Sequence, residues 1–128
     1  MRPRNLERGQ PAPCQCGCPA GIDVPSYLAL IAHGRYREAL DVIRQDNPFP
    51  WICSLICPAP CQRACVKGYQ DKPLAIRELK GFASAMVEQC AEDRQVNHVS
   101  RDLEKVAVIG SGPAGLTAAY FLALRGYR

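Results

Sequence analysis

Seven of the eight cysteines fall into two tight groups. Cys14, Cys16 and Cys18 are nearly contiguous, while Cys53, Cys57, Cys61 and Cys65 follow at strict intervals of four. Thiolates held this close repel one another unless a cation binds them or oxidation pairs them, so the spacing calls for a metal or a disulfide framework. A second pattern lies near the end of the chain. The β-branched run Lys105-Val-Ala-Val-Ile feeds directly into Gly110-Ser111-Gly112-Pro113-Ala114-Gly115, which opens an apolar helix. A Gly-x-Gly-x-x-Gly turn between strand and helix is the setting of a dinucleotide fingerprint. Gly110 permits the tight turn, Gly112 lets the backbone approach a pyrophosphate, and Gly115 lets helix and strand pack closely. The helix N-terminus favours negative charge.

Three chemistries compete for the cysteines. Structural zinc usually shows two Cys-x2-Cys pairs or a cysteine and histidine set, whereas these pairs are spaced by one and by three, and His33 and His98 are the two histidines present. Iron-sulfur ligands are often followed by proline, and both Cys18-Pro19 and Cys57-Pro58 occur. Iron-sulfur is therefore the first expectation, with zinc and with disulfides or free thiols as alternatives. Residues 1–10 are polar, without the apolar core of a secretory leader, and no run approaches a membrane span. A cytoplasmic location is expected, where dense cysteines more often mean metal than disulfide.

With 128 residues, 48% of them hydrophobic and 22% charged, the chain has the composition of a globular protein and room for one domain plus part of another. The net charge of +4 is scattered rather than gathered into an aromatic-interleaved basic stripe, so neither nucleic acid nor membrane is an expected partner.

These sites need elements to position them. Residues 1–13 read as an extended arm. A loop follows through Cys14-Gln-Cys-Gly-Cys-Pro, in which Gly17 and Pro19 oppose an immediate helix. Asp23 is a candidate N-cap for a helix carrying Tyr27, Leu28, Ile31 and Ala32 to Gly34, with His33 as a capping histidine. Tyr36, Ala39, Leu40, Val42 and Ile43 mark a second helix that stops at Asn47-Pro48. Pro58 and Pro60 force turns, and a short helix over Cys61–Val66, closed by Gly68, would set Cys61 and Cys65 on one face. The strongest period runs from Pro73 to about Glu92, with Ile76, Leu79, Phe82, Ala83, Met86, Val87 and Cys90 as its stripe, Cys90 being a buried apolar residue. Residues 93–104 read as a linker. Residues 105–128 give one strand, the glycine turn and one helix. The acidic ribose-binding residue expected about twenty residues later is not within the sequence, so a segment of a longer flavoprotein is expected.

Five ordered segments resemble the N-terminal part of the glutamate synthase small-subunit family, which includes the corresponding domain of dihydropyrimidine dehydrogenase. They are Cys18-Pro-Ala-Gly-Ile-Asp-Val-Pro-Ser-Tyr, Asn47-Pro-Phe-Pro, Ile56-Cys-Pro-Ala-Pro-Cys-Gln-Arg-Ala-Cys, Pro73-Leu-Ala-Ile-Arg-Glu-Leu-Lys and Val108-Ile-Gly-Ser-Gly-Pro-Ala-Gly-Leu. The resemblance implies a mainly α fold: a small alpha-helical ferredoxin-like domain over 14–92, followed by the first strand and helix of a Rossmann-type α/β domain. It implies two 4Fe-4S clusters, joined to an FAD domain and then to an NAD(P)H domain. Electrons would pass from reduced pyridine nucleotide through flavin to the clusters and onward to a partner subunit or ferredoxin-like carrier.

Carried over by position, Cys18, Cys57 and Cys61 match ligands of one cluster, and Cys14 and Cys65 match ligands of the other. Cys53 matches a cysteine that is not usually a ligand. The family's further cysteines five and eight residues ahead of Cys14 are replaced by Gly9 and Leu6. Lys80 stands where the family often has a Glu or Gln ligand, and the Cys57–Cys61 loop is short. Cys53 and Cys16 are the available substitutes. One arrangement uses Cys18, Cys53, Cys57 and Cys61 for a complete cluster and leaves Cys14, Cys16 and Cys65 for an incomplete one, so one cluster is expected and a second is an option. No general base or oxyanion hole is recognisable, so no catalytic residue is assigned. The competing reading is a zinc-stabilised helical interaction domain without redox activity.

Overall fold

Eight helical elements order residues 11–89 and 103–128, the part of the chain described by the computed structural model. In chain order these are α1 (Pro13–Cys16), α2 (Val24–Ala32), α3 (Tyr36–Arg44), α4 (Pro50–Ile56), α5 (Pro60–Arg63), a 3-10 turn (Val66–Tyr69), α6 (Ile76–Gln89) and α7 (Pro113–Leu124). The chain divides into two units, Met1–Gln89 and Cys90–Arg128.

In the first unit, α2 begins where the sequence asks for it. The Asp23 carboxylate accepts from the Ser26 amide at 3.2 Å and from the Ser26 hydroxyl at 2.7 Å, and Pro25 occupies the first turn, where a missing N–H leaves no bond unmade. His33 closes the helix with Nδ1 2.8 Å from the Ala29 carbonyl. Helices α2 and α3 form a hairpin against which α6 packs. Tyr27 and Ile31 from α2, Ala39, Leu40 and Ile43 from α3, and Ile76, Ala83 and Val87 from α6 are buried together with Ile22 and Val24. This is the three- to four-residue periodicity of the sequence turned inward.

The first unit departs from expectation at five places, the first being α1 (Pro13–Cys16), a single helical turn where a loop was expected, with Pro13 tolerated in its first turn. Residues 50–56 form α4, a helix of seven residues and thus too short to display a period; Pro50 in its first turn is its one sequence signal. The helix expected over Cys61–Val66 is instead α5, ending at Arg63, followed by a separate 3-10 turn. Helix α6 starts at Ile76 rather than Pro73. Phe82, expected in the buried stripe, is 47% exposed and lies edge-to-face on Tyr36 with ring centroids 5.5 Å apart. Cys90 and residues 93–102 fall outside the described residues.

In the second unit, no strand forms among the described residues. A strand is defined by its ladder, and the run over 105–109 has no neighbouring strand to pair with. One backbone bond, from the Val106 amide to the Arg128 carbonyl at 2.7 Å, ties the run to the end of the chain. The turn and helix follow as expected, with Gly110 at φ 115° and Pro113 in the first turn of α7. No helix among the described residues is long and apolar enough to cross a membrane.

Ser84, on the core face of α6, is 1% exposed and its hydroxyl has no hydrogen-bond partner among the described residues. A buried hydroxyl without a partner is destabilising, and alanine is the better helix former. Ser84→Ala is therefore expected to stabilise the fold by about 1 kcal/mol, read as a rise in the denaturant midpoint. An unchanged or lower midpoint would contradict this account.

Candidate metal centre

The middle cysteines are separated by helix ends rather than carried on one helix. Cys53 sits within α4, Cys57 caps its C-terminus in extended conformation, Cys61 lies in α5, and Cys65 follows it. Between Cys57 and α5 the chain reverses through Ala59, which adopts the left-handed conformation at φ 51°, ψ 55°. This region costs an ordinary residue roughly 1 kcal/mol, so surrounding bonds must hold it. The Ala59 amide donates to Cys57 Sγ at 3.4 Å. Arg77 Nη1 donates to the Cys57 carbonyl at 3.1 Å, the Arg77 amide donates to Gln62 Oε1 at 2.9 Å, and Arg63 Nη1 donates to the Pro58 carbonyl at 3.2 Å. The start of α6 thus grips both ends of the cysteine loop.

The early cysteines reach this loop through Gly17. A Cβ at that position would lie 3.0 Å from Ala64 Cβ and 3.3 Å from the Pro60 carbonyl. The bare glycine lets α1 lie against α5, and the two thiol groups meet. Cys18, from the first group, lines one cavity with Cys57 and Cys61 from the second, beside Tyr27, Arg77 and Lys80. Cys14 and Cys65 pack against the same core and are electrostatically coupled. Cys16 is exposed and its thiol donates to the Pro11 carbonyl at 3.5 Å. The Cys53 thiol donates to Asn47 Oδ1 at 3.5 Å and does not line the cavity. The cavity thus brings together Cys18, Cys57 and Cys61 and leaves Cys53 apart. Among the described residues no three Cys, His, Asp or Glu side chains stand in ready coordinating geometry for a single ion.

The electrostatics follow from burial and from neighbouring sulfur. Burial pushes the Cys61 thiol up, Cys18 and Cys57 push it further, and the Gln62 amide and the Lys80 ammonium oppose them. Burial also raises Cys14, with Cys65 and Cys16 adding to it against the Gln15 amide. For Cys65 burial acts upward too, but amides of Leu74, Lys67 and Gly68 and the Lys67 charge outweigh it, so the net shift is down. The Tyr27 phenol is raised, first by burial and then by Cys61, Cys18, Cys14 and Cys57, which puts one side chain within electrostatic reach of both thiol groups.

A pH prediction follows for the cluster-free protein. A group with a raised folded pKa contributes stability fully below its unfolded pKa and loses it as pH rises toward the folded value. Cys14 and Cys61 start from an ordinary 9.0 and Tyr27 from 10.0, whereas Cys65 acts in the opposite sense. The cluster-free chain is therefore expected to melt at progressively lower temperature above about pH 9. A flat melting temperature between about pH 8 and 11 would contradict it.

Two residues of this cavity carried no signal that singled them out. Tyr27 reads from sequence as one more residue of a helical stripe, and Arg77 has no role assigned to it there. Lys80 stood out through resemblance alone.

The turn of the second unit is equally constrained. A Cβ on Gly115 would strike the Gly110 carbonyl oxygen and reach Val108 Cγ1 at 3.5 Å. Residues Gly110, Ser111, Gly112, Pro113 and Ala114 are exposed around the N-terminus of α7, with Gly112 as its extended N-cap.

Comparison with known proteins places these features in a family context. A family model described as dihydropyrimidine dehydrogenase domain II, 4Fe-4S cluster, matches residues 5–92. The chain is 39% identical over 129 residues to the NADPH-Fe(3+) oxidoreductase subunit beta of Geobacter sulfurreducens, covering 98% of this chain and 19% of that protein. It is 39% identical to the NADP(+)-dependent formate dehydrogenase subunit beta of Moorella thermoacetica, over 91% of this chain and 20% of the relative. It is 38% identical to the NADPH glutamate synthase small chain of Mycobacterium tuberculosis, over 89% of this chain and 23% of the relative. The chain thus spans about a fifth of the length of these curated relatives.

Proposed function

Since the chain belongs to the family of the dihydropyrimidine dehydrogenase 4Fe-4S domain II, we propose that it is the electron-transfer segment of an NADPH-dependent flavin oxidoreductase subunit. The observation that carries this reading is the meeting of Cys18, Cys57 and Cys61, from three separate segments, around one cavity. The donor set is all soft sulfur, which suits iron-sulfur chemistry. Cys18, Cys57 and Cys61 hold the first 4Fe-4S cluster in this reading, and Cys14 and Cys65, with Cys16 within reach on the same short helix, hold the second. Cys53 orients Asn47 rather than binding iron. A bound cluster supplies reversible one-electron storage. The chain's own part is to place its thiols, donate the Ala59 amide to the Cys57 sulfur, and screen the site from water with Tyr27 and Ile76.

Residues 14–92 form the iron-sulfur domain, 93–104 a linker, and 105–128 the first strand, turn and helix of an FAD-binding Rossmann lobe. The apolar side chains Ile109, Leu116 and Leu124 are 100%, 42% and 55% exposed, which supports a lobe that packs on further chain. Gly110, Ser111, Gly112, Pro113, Ala114 and Gly115 would receive the FAD pyrophosphate at the start of α7. NADPH rather than NADH is the donor favoured by the names of the relatives. A partner subunit accepts the electrons, and the cytoplasm is the proposed location.

Full-length protein purified without oxygen tests the reading through iron, acid-labile sulfide and visible absorption. Iron and sulfide in equal amounts, at four or more of each per chain (about one cluster), with charge-transfer absorption, are the expected result. A colourless protein carrying stoichiometric zinc would replace the reading with a zinc-stabilised interaction domain.

A further inference from the structure

Lys80 is 7% exposed and lines the cavity shared by Cys18, Cys57 and Cys61. It lies on the inner face of α6, one turn from Ile76 at 1% and one turn from Ser84 at 1% exposure, so its stem runs through the core and not along the surface. A lysine carries one positive charge and three donors. Taking such a charge out of water is costly unless an opposite charge accompanies it.

Among the described residues, carboxylates do not provide that charge. Glu78 is committed to Arg77, whose Nε and Nη2 donate to Glu78 Oε1 at 3.1 and 2.7 Å, and among the described residues no carboxylate forms an ion pair with Lys80. The sulfur atoms that share its cavity are those of Cys18, Cys57 and Cys61, and the Lys80 charge acts on Cys61, where it opposes the rise of the thiol. Neutral thiols cannot balance a buried ammonium, whereas thiolates on iron can. Arg77 is the other cation at the cavity, and its charge is already balanced by Glu78.

We propose that Lys80 is the counter-charge of the cluster held by Cys18, Cys57 and Cys61, a fixed cation that raises its reduction potential without ligating iron. This rests on the iron-sulfur reading above. The step concerned adds one electron to the cluster, from flavin in the protein or from dithionite in the test, with no bond made or broken and no proton required. Reduction makes the centre more negative by one charge. A buried cation at fixed position therefore favours the reduced form, and burial keeps that interaction from being screened by water and salt.

The test uses full-length wild type and the Lys80→Arg, Lys80→Met and Lys80→Gln variants, purified without oxygen. Iron and sulfide are measured first, and midpoint potentials are then read by EPR-monitored dithionite titration. The signal that disappears in Cys61→Ser identifies the couple that belongs to this cavity. Full iron in every variant is expected. Lys80→Arg should keep the midpoint, while Lys80→Met and Lys80→Gln should lower the reduced-to-oxidised ratio at fixed potential about tenfold, or about 59 mV for a one-electron couple. Should Lys80→Met not accumulate, Lys80→Gln carries the same expectation with a polar head. An unchanged midpoint at full iron overturns the counter-charge and leaves the iron-sulfur reading standing. Loss of iron from both Lys80→Arg and Lys80→Met overturns it by making Lys80 a ligand. Wild type without iron overturns the iron-sulfur reading and the counter-charge with it.

Discussion

Cys61→Ser is expected to strip one whole cluster from the protein, a loss of about four irons per chain, with the helices left in place. Cys61 is 9% exposed and shares its cavity with both Cys18 and Cys57, so no other described cysteine in that cavity can replace it without vacating its own role. A serine hydroxyl is a far weaker donor to iron than thiolate, and the swap changes volume little. The informative control is Cys53→Ser. That thiol donates to Asn47 Oδ1 outside the cavity lining, and its serine variant is expected to keep full iron and lose less than about 1 kcal/mol of stability. Iron analysis and far-ultraviolet circular dichroism on the two variants decide the matter. Full iron in Cys61→Ser would remove Cys61 from the ligand set, and iron loss in Cys53→Ser would restore the four-thiolate arrangement that includes it.

Gly115→Ala carries the second large effect, and it acts on the other cofactor. The added Cβ would strike the Gly110 carbonyl oxygen, a backbone atom that cannot move without opening the turn. Overpacking of this kind costs about 3 kcal/mol, and if that strain falls on the dinucleotide-binding conformation it weakens FAD binding on the order of a hundredfold. Flavin released on dilution, followed by its fluorescence, measures the effect, and the iron content of the same preparation should not change. Ala114→Gly, one position earlier in an exposed part of the turn, serves as the mild comparison. Retention of flavin in Gly115→Ala at wild-type affinity would argue against a pyrophosphate at this turn.

Much of the helical frame was legible because it rests on local rules. Asp23 caps α2 with its own side chain, and the apolar residues of α2, α3 and α6 recur with the period that buries them together. The cysteine region was less so. Cys61 and Cys65 at a spacing of four suggest one helical face, yet α5 ends between them, and the left-handed Ala59 and the Arg77 bonds to the loop turn Cys57 and Cys61 toward Cys18 while Cys53 looks to Asn47. Such long-range bonds leave no periodic trace. Phe82 satisfied the period of α6 and still emerged half exposed, held edge-to-face against Tyr36 rather than inside the core. The β-branched run before Gly110 could be recognised as strand-like but not as a strand, since pairing belongs to two segments and not to one.

Ala39, Leu40, Ile43 and Ala83 are screened completely from solvent without any sulfur among them. The α2–α3–α6 packing thus supplies an apolar core beside the thiols, and part of the helical frame is expected to survive removal of iron, unlike a zinc finger, which has no frame of its own until its ion binds. Cluster delivery in the cell would then be a transfer into a standing acceptor, and a centre destroyed by oxygen could be rebuilt in place instead of condemning the polypeptide to degradation.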